Sequence, residues 1–304
     1  MELRHIRYLL AVADHGNFTR AAEALHISQP TLSQQIKQLE RSLRVQLLDR
    51  SGRTIRLTAA GEAYAHHCRL ALHELDAGTR AVNDVQDLSR GHLRVAMTPT
   101  ISAYLVGPLV GRFHARHPGI TLTIVETTQD RIETDLLADR IDLGIAFAGT
   151  RGAGIDHRPL FGEHLCLMVG SSHPLATRTT PLPLRELSGQ PLALLSRDFV
   201  TRVHIDEHLA ANGVHPQVAI EANSIGALVE FVRPRSLATI LPEAITHTHP
   251  GLHPVTLTPA LPTRTVELLR RSSAYHSAAT QAFSAIAEEL RDGVGRPQPN
   301  PAVE

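Results

Sequence analysis

Phe18-Thr19-Arg20-Ala21-Ala22-Glu23-Ala24-Leu25-His26-Ile27-Ser28-Gln29-Pro30-Thr31-Leu32-Ser33-Gln34-Gln35-Ile36 contains two helix starts separated by very little chain. Thr19 stands where an N-cap belongs, Ala21 to Leu25 are good helix formers, and Glu23 lies near the reciprocal capping position. His26-Ile27 is too short to join unrelated helices. Ser28 then caps the next helix, whose first turn holds Pro30, where a missing N–H does little harm. The stretch predicts a helix-turn-helix. In its second helix Leu32, Ile36, Leu39 and Leu43 recur at helical spacing as an inward stripe, leaving Gln29, Thr31, Ser33, Gln34, Lys37, Gln38 and Arg41 on other faces.

Working outward, Leu3, Ile6, Leu10 and Ala13 form the stripe of a preceding amphipathic helix, which His15-Gly16-Asn17 ends. Downstream, Leu48 to Leu57 reads as two short strands around a Ser51-Gly52 turn, with Arg50, Arg53 and Arg56 on the hairpin. Glutamine can bond bidentately to adenine, and serine or threonine can reach bases or phosphates. The residues expected on DNA are therefore Arg20, Ser28, Gln29, Pro30, Thr31, Ser33, Gln34 and Lys37, with Arg50 and Arg53 on a wing beside the backbone or minor groove. The plainer reading is a small helical subdomain with a solvated basic face. Turn, capped helix, polar N-terminal face and basic hairpin coincide within 60 residues, and that coincidence favours DNA.

Charge distribution agrees. The net charge is zero over 304 residues, yet up to residue 60 nine basic residues face five acidic ones, a charge of +4 that leaves −4 on the remainder. A basic head on an acidic body suggests nucleic acid at the basic end. The length allows two or three domains, each with its own core. No apolar run approaches the roughly 20 residues that span a bilayer, and the first residues do not read as an export signal, so a cytoplasmic protein is expected. Cys68 and Cys166, the two cysteines, have no CxxC spacing, which fits a reducing compartment and supports neither a disulfide framework nor a metal cluster.

The run from Phe18 to Ile36, followed by Leu39-Glu40 and Leu57-Thr58-Ala59-Ala60-Gly61, strongly resembles the LysR-type transcriptional regulators. Within that family Asp49 to Thr58, Gly144-Ile145-Ala146-Phe147-Ala148 and Ile220-Glu221-Ala222-Asn223-Ser224-Ile225 are most similar to regulators of bacterial cyanate operons. The resemblance implies an α/β protein with an N-terminal winged helix-turn-helix, a long linker helix, and a two-lobed Rossmann-like effector domain like that of periplasmic binding proteins. It implies a double-stranded DNA operator, a small-molecule effector with cyanate or another small anion foremost, a homo-oligomer (dimer or tetramer), and contact with RNA polymerase. No cofactor and no catalytic residue are implied.

The expected divisions are residues 1–58 for the DNA-binding domain, 59–90 for the linker and dimerisation helix with its hinge, 91–292 for the effector domain, and 293–304 for a disordered tail. From a Thr58 cap the linker helix should run to about residue 88. Tyr64, Cys68, Ala71, Leu75, Gly78, Val82 and Val85 alternate spacings of four and three, a heptad seam, and Tyr64, Ala71, Leu75 and Val82 are the expected dimer contacts. The alternative is a helix packed on its own domain.

Beyond Gly91 short apolar runs (residues 93–97, 120–126, 142–147, 165–169, 192–195, 218–221, 237–241 and 265–269) alternate with helical stretches (101–117, 128–139, 201–212, 224–232 and 275–291), which argues for parallel α/β sheets. Ligands of such sheets sit beyond the carboxyl ends of the strands. Thr98, Thr100, Ile101 and Ser102 occupy a strand-to-helix junction where hydroxyls and N-terminal amides could cradle a small anion; Thr128, Gln129 and Phe147 follow the next two strands. Ordinary capping would explain the junction equally well. The resemblance adds the junction opening the second lobe, with Phe199, Val200, Thr201 and Arg202. Two rivals from other classes remain. A solute-binding protein would share the two lobes, and an enzyme with an accessory DNA-binding head would need a catalytic motif; the glycines Gly149, Gly152 and Gly154 do not have dinucleotide spacing.

Overall fold

The computed structural model of the chain describes residues 2–52, 54–86, 91–149, 152–234 and 236–294. The chain divides into two units, Met1–Val82 and Asn83–Glu304.

In the first unit α1 (Leu3–His15) buries Ile6, Leu9, Leu10 and Val12, and stops because Gly16 takes the left-handed conformation (φ 59°) and returns its N–H to the Val12 carbonyl. Helix α2 (Phe18–Ala24) starts two residues earlier than its sequence suggests: Asn17, not Thr19, is the cap, accepting from the amides of Thr19 and Arg20. His26 makes the tight turn by adopting φ 54°. Ser28 caps α3 (Gln29–Leu43) as expected. Leu32, Ile36 and Leu39 meet Leu9, Val12, Ala21, Ala22, Leu47 and Leu48 in one core. Leu43, placed on the same stripe, is exposed, since α3 ends there and Arg44 turns left-handed.

Strands β1 (Leu48–Asp49) and β2 (Arg56–Leu57) pair antiparallel, as the wing predicted. Thr58 caps α4 (Ala59–Gln86), its hydroxyl accepting from Gly61 N at 3.0 Å and donating to the Gln46 carbonyl at 2.8 Å. Gly61 is required there, because a Cβ would lie 2.0 Å from the Leu47 carbonyl oxygen.

The second unit holds two five-stranded sheets. The first lobe contains β3 (Gly91–Met97), α5 (Pro99–Arg116), β4 (Ile120–Glu126), α6 (Gln129–Leu137), β5 (Leu143–Phe147) and β6 (Ile155–Glu163). The chain then crosses to β7 (Leu165–Gly170), β8 (Leu182–Pro183), β9 (Pro191–Leu195), α7 (Val200–Ala211), β10 (Gln217–Ala222), α8 (Ile225–Val232), β11 (Ala238–Pro242), β12 (Leu252–Val255) and β13 (Leu257–Thr258). It returns through β14 (Arg264–Arg271) to α9 (Ala278–Val294).

Strand order is β4-β3-β5-β14-β6 in the first sheet and β10-β9-β11-β7-β12 in the second. The purely parallel sheets expected from β/α alternation are mixed. β14 pairs antiparallel with β5 and β6, and β7 antiparallel with β11 and β12, because each enters its sheet from the other lobe instead of from a helix on its own. All five residues of β5 are buried, and a Cβ on Gly144 would lie 2.4 Å from Ile132 of α6. That close approach sets the helix directly on the sheet. The tail expected from residue 293 lies, from 295 onward, outside the described residues. Among the described residues no helix is long and apolar enough to cross a membrane.

Candidate functional site

In the first unit α3 presents Gln29, Pro30, Thr31, Gln34 and Lys37 exposed, with Ser33 half-buried; Arg20 on α2 is exposed as well. Ser28 and Thr31 are partly engaged with each other: the Ser28 hydroxyl accepts the Thr31 amide at 3.3 Å, and the two hydroxyls lie 2.6 Å apart. Gln35, one position round, turns inward to His5 Nε2 at 2.8 Å. The wing is tied to α3 by Glu40, which no motif singled out. Its carboxylate accepts the amides of Leu47 and Leu48 and pairs with Arg50 at 2.8 Å. Arg50 also lies over the Phe18 ring, 5.5 Å from its centroid, so part of its charge is already used in holding the hairpin. At the hairpin tip the Ser51 amide and hydroxyl donate to Asp49 and hold its carboxyl below the ordinary range. Arg53 lies outside the described residues.

The expected stem contacts separate into two groups. Cys68 is buried against Ile6, Leu10 and Ala65, with Tyr64 half-buried beside them, so this end of the stripe packs on its own unit. Ala71 is exposed, as are Leu75 (50%) and Val82 (63%).

In the second unit a cavity of about 100 Å³ opens between the lobes, lined by Thr98, Pro99, Thr100, Thr128, Gln129 and Phe147 on one side and Asp198, Phe199, Val200 and Thr201 on the other. Three helices, α5, α6 and α7, begin in its wall, with Thr98, Thr128 and Phe199 at their cap positions. First-turn amides have no intrahelical acceptor, so each start offers donors. The Thr98 hydroxyl is buried and has no hydrogen-bond partner among the described residues.

Three expected residues stand behind the wall. Ile101 is fully buried in the core, and the Ser102 hydroxyl donates to Glu126 at 2.7 Å. Arg202, expected to bring positive charge to the cleft, is captured inside its own lobe. It donates to Asp206 one turn along α7 at 2.8 Å, to Glu221 on β10 at 3.0 Å, and to the Leu195 carbonyl.

A cation that does touch the cavity wall is Arg264, the first residue of β14. Its guanidinium donates to the Thr201 hydroxyl at 2.9 Å and lies 3.7 Å from the centroid of Phe147. A second guanidinium nitrogen pairs with Glu163, the last residue of β6 and its register partner across the crossover, and Nε is buried without a hydrogen-bond partner among the described residues. Tyr104 donates to the far carboxylate oxygen of Glu163 at 2.9 Å. Burial and the Glu163 charge push the Tyr104 phenol well above its usual range; burial also pushes Glu163 up, against the pull of Arg264. Thr100 and Thr201 hydroxyls, 3.2 Å apart, join the lobes directly. Sequence reasoning placed Pro99 and Asp198 within the two junctions without singling them out, and missed Tyr104, Glu163 and Arg264. Glu163 and Arg264 stand at the ends of strands that carry other charges, so no motif singles them out. Among the described residues no group of three His, Cys, Asp or Glu could hold a metal ion.

Residues 3–62 match the bacterial regulatory helix-turn-helix of the LysR family, and residues 86–291 match the LysR substrate binding domain. The transcriptional regulator AlsR of Bacillus subtilis is 28% identical over 246 residues, 80% of this chain and 81% of that protein. A hydrogen peroxide-inducible genes activator of Haemophilus influenzae is 26% identical over 295 residues, covering 96% and 98% of the two chains. Among solved structures, a full-length OxyR variant from Pseudomonas aeruginosa superposes with a TM-score of 0.74 at 26% identity, covering 99% of both chains. With both halves of the regulator matched, the chain belongs to the LysR family of DNA-binding transcriptional regulators.

Proposed function

We propose that this regulator reads its operator with the exposed N-terminal face of α3 and answers to a small, hydrogen-bond-accepting effector held between the lobes of residues 91–292. The observation that carries the effector reading is the cavity, whose wall is shared between the two lobes and contains three helix starts. At about 100 Å³ it is smaller than the roughly 150 Å³ cavity that admits benzene, which favours a ligand of a few heavy atoms. Cyanate or an anion of similar size fits that limit. Asp198 in the wall repels an anion, so the ligand's charge belongs at the threonine end. Peroxide, suggested by the name of one relative, is disfavoured because attack on it requires a thiolate. Burial raises the pKa of both Cys68 and Cys166, Cys166 far above the ordinary thiol range.

On the DNA side, Gln29, Thr31, Ser33 and Gln34 reach base edges and Lys37 meets phosphate, while Arg50 positions the wing. The exposed positions Ala71, Leu75 and Val82 of α4 join subunits into a dimer or tetramer, so that two heads meet a two-fold operator. Residues 1–58 and 59–90 act as head and linker. The reading assigns no catalysis to the chain. A thermal-shift screen of small anions, followed by operator footprinting with each hit, tests it. A stabilising anion whose effect disappears in Thr100→Val and which alters the footprint is expected; hits indifferent to both Thr100→Val and Phe199→Ala would refute the cleft.

A further inference from the structure

The Arg264 guanidinium can only donate hydrogen bonds. It therefore fills a lone pair on the Thr201 oxygen, leaving that hydroxyl's proton to be given away. Thr201 and Thr100 have two hydroxyl protons between them, and their mutual bond uses one. Whichever way that bond runs, one proton is left over, at the end of a chain of donors that begins on a cation. Such chains polarise one another, each donor strengthening the next. The guanidinium sits between Glu163 and Thr201 in this chain, so the pair is a dipole with its positive end toward the threonines. The Thr98 hydroxyl, buried and without a hydrogen-bond partner among the described residues, lies in the same wall.

From this geometry we infer that Arg264 is a positioning residue that sets the polarity of the effector site through Thr201 and Thr100, making it select a ligand that presents a hydrogen-bond acceptor at the threonine end. The inference rests on the effector reading above. A ligand presenting only N–H or O–H at that end would leave the relayed hydroxyl proton without an acceptor in a desolvated wall, and an unmatched buried donor is strongly disfavoured. A cyanate-like or carboxylate anion satisfies the wall. Arg202 cannot take this part, since its guanidinium is bound to Asp206, Glu221 and the Leu195 carbonyl.

Formate and formamide form a matched probe pair of nearly equal shape, the second replacing an acceptor oxygen with a donor. Calorimetric titration of the full-length protein with formate, formamide and cyanate should show the anions preferred over formamide by about tenfold or more. Thr201→Val should weaken anion binding by about tenfold, and Thr201→Ser should restore it, a rescue that loss of packing alone would not produce. Arg264→Gln combined with Glu163→Gln removes the buried charges together and should collapse the formate-to-formamide preference. The wild-type preference needs no variant, so a misfolded variant leaves the inference open to refutation. Formamide binding as tightly as formate, or failure of both anions to bind the wild type, overturns it. Loss of binding in Thr100→Val with affinity and preference unchanged in Thr201→Val and the double variant overturns the relay and leaves the cleft standing. Binding untouched by Thr100→Val and Phe199→Ala removes the cleft itself, and the relay with it.

Discussion

Replacing Arg264 with methionine would strand Glu163 in a pair whose side chains are 5% and 2% exposed. The carboxylate would keep the Tyr104 hydroxyl at 2.9 Å but lose the opposite charge. Breaking a buried ion pair from one side is destabilising by about 3–5 kcal/mol. In a unit the size of Asn83–Glu304, about 1 kcal/mol moves Tm by roughly 2–4 °C, so its transition should fall by roughly 6–20 °C. The pH dependence follows from Glu163. Burial already pushes its carboxyl up against the pull of Arg264, and removing the guanidinium lets it rise further. A carboxyl whose pKa is raised on folding contributes stability below its unfolded pKa, and that contribution is lost as pH rises through the folded value. The Tm deficit should therefore be smaller near about pH 5 than near about pH 8. Adding Glu163→Gln removes the stranded charge and should recover most of the deficit. Scanning calorimetry of the full chain at the two pH values measures this. A deficit below about 2 °C, or one equal at both pH values and in the double variant, would refute the reasoning.

Gln29→Ala should cost about 1–3 kcal/mol at one operator position and relax its base preference, whereas Lys37→Ala should weaken all sequences evenly and lower the salt slope by about 1; binding titrations over a salt series separate the two, and unchanged affinity in both would take α3 off the DNA. Leu75→Asp places a charge at an exposed position of α4 and should shift sedimentation toward smaller species; an unaltered oligomer would remove this position from the interface. Gly61→Ala should destabilise the first unit by about 1–3 kcal/mol despite alanine's better helix propensity, because the added methyl meets the Leu47 carbonyl; a rise in Tm would contradict that close approach.

Legibility followed the range of the interactions. The helix-turn-helix could be read because capping, turn and stripe all lie within a few residues of one another: Ser28 caps α3, and Leu32, Ile36 and Leu39 are buried where periodicity places them. Even there the cap of α2 moved to Asn17, since two side chains competent to cap stand two residues apart and only tertiary packing chooses between them. In the second unit most strands were legible as apolar runs. β6 was missed because Ile155-Asp156-His157-Arg158-Pro159-Leu160-Phe161-Gly162-Glu163 contains a proline, a glycine and charges, and is made a strand by its pairing with β14 more than 100 residues away. The cleft was legible to the same degree. Thr98, Thr100, Thr128 and Gln129 were found at strand-to-helix junctions and Phe147 at a strand end, which are local. Arg264 was missed and Arg202 misplaced because which of two arginines is bonded to a wall residue of the cavity depends on where Asp206 and Glu221 lie, and that is settled by the tertiary fold alone.

The same contrast bears on how an effector could act. A ligand shifts an equilibrium only by its differential affinity for the states concerned. A cavity lined by one lobe would be filled equally at any interlobe angle and would change nothing. Here Thr100 belongs to α5 and Thr201 to α7, so contacts to both exist at one spacing of the lobes and weaken at others. The two crossings limit the alternatives, because β6 ends and β14 begins on paired residues locked by the Glu163 to Arg264 ion pair. Any motion between the lobes would be expected to pivot near that pair, with the threonines moving relative to each other. Arg264 spans both regions, bonded to Glu163 at the crossover and to Thr201 on the far lobe. A ligand that draws the leftover hydroxyl proton strengthens the whole donor chain and with it the bond from the crossover to the second lobe. On the proposed reading, an acceptor ligand of the right size should therefore stiffen this interlobe angle, and a ligand of the same size without an acceptor at the threonine end should not.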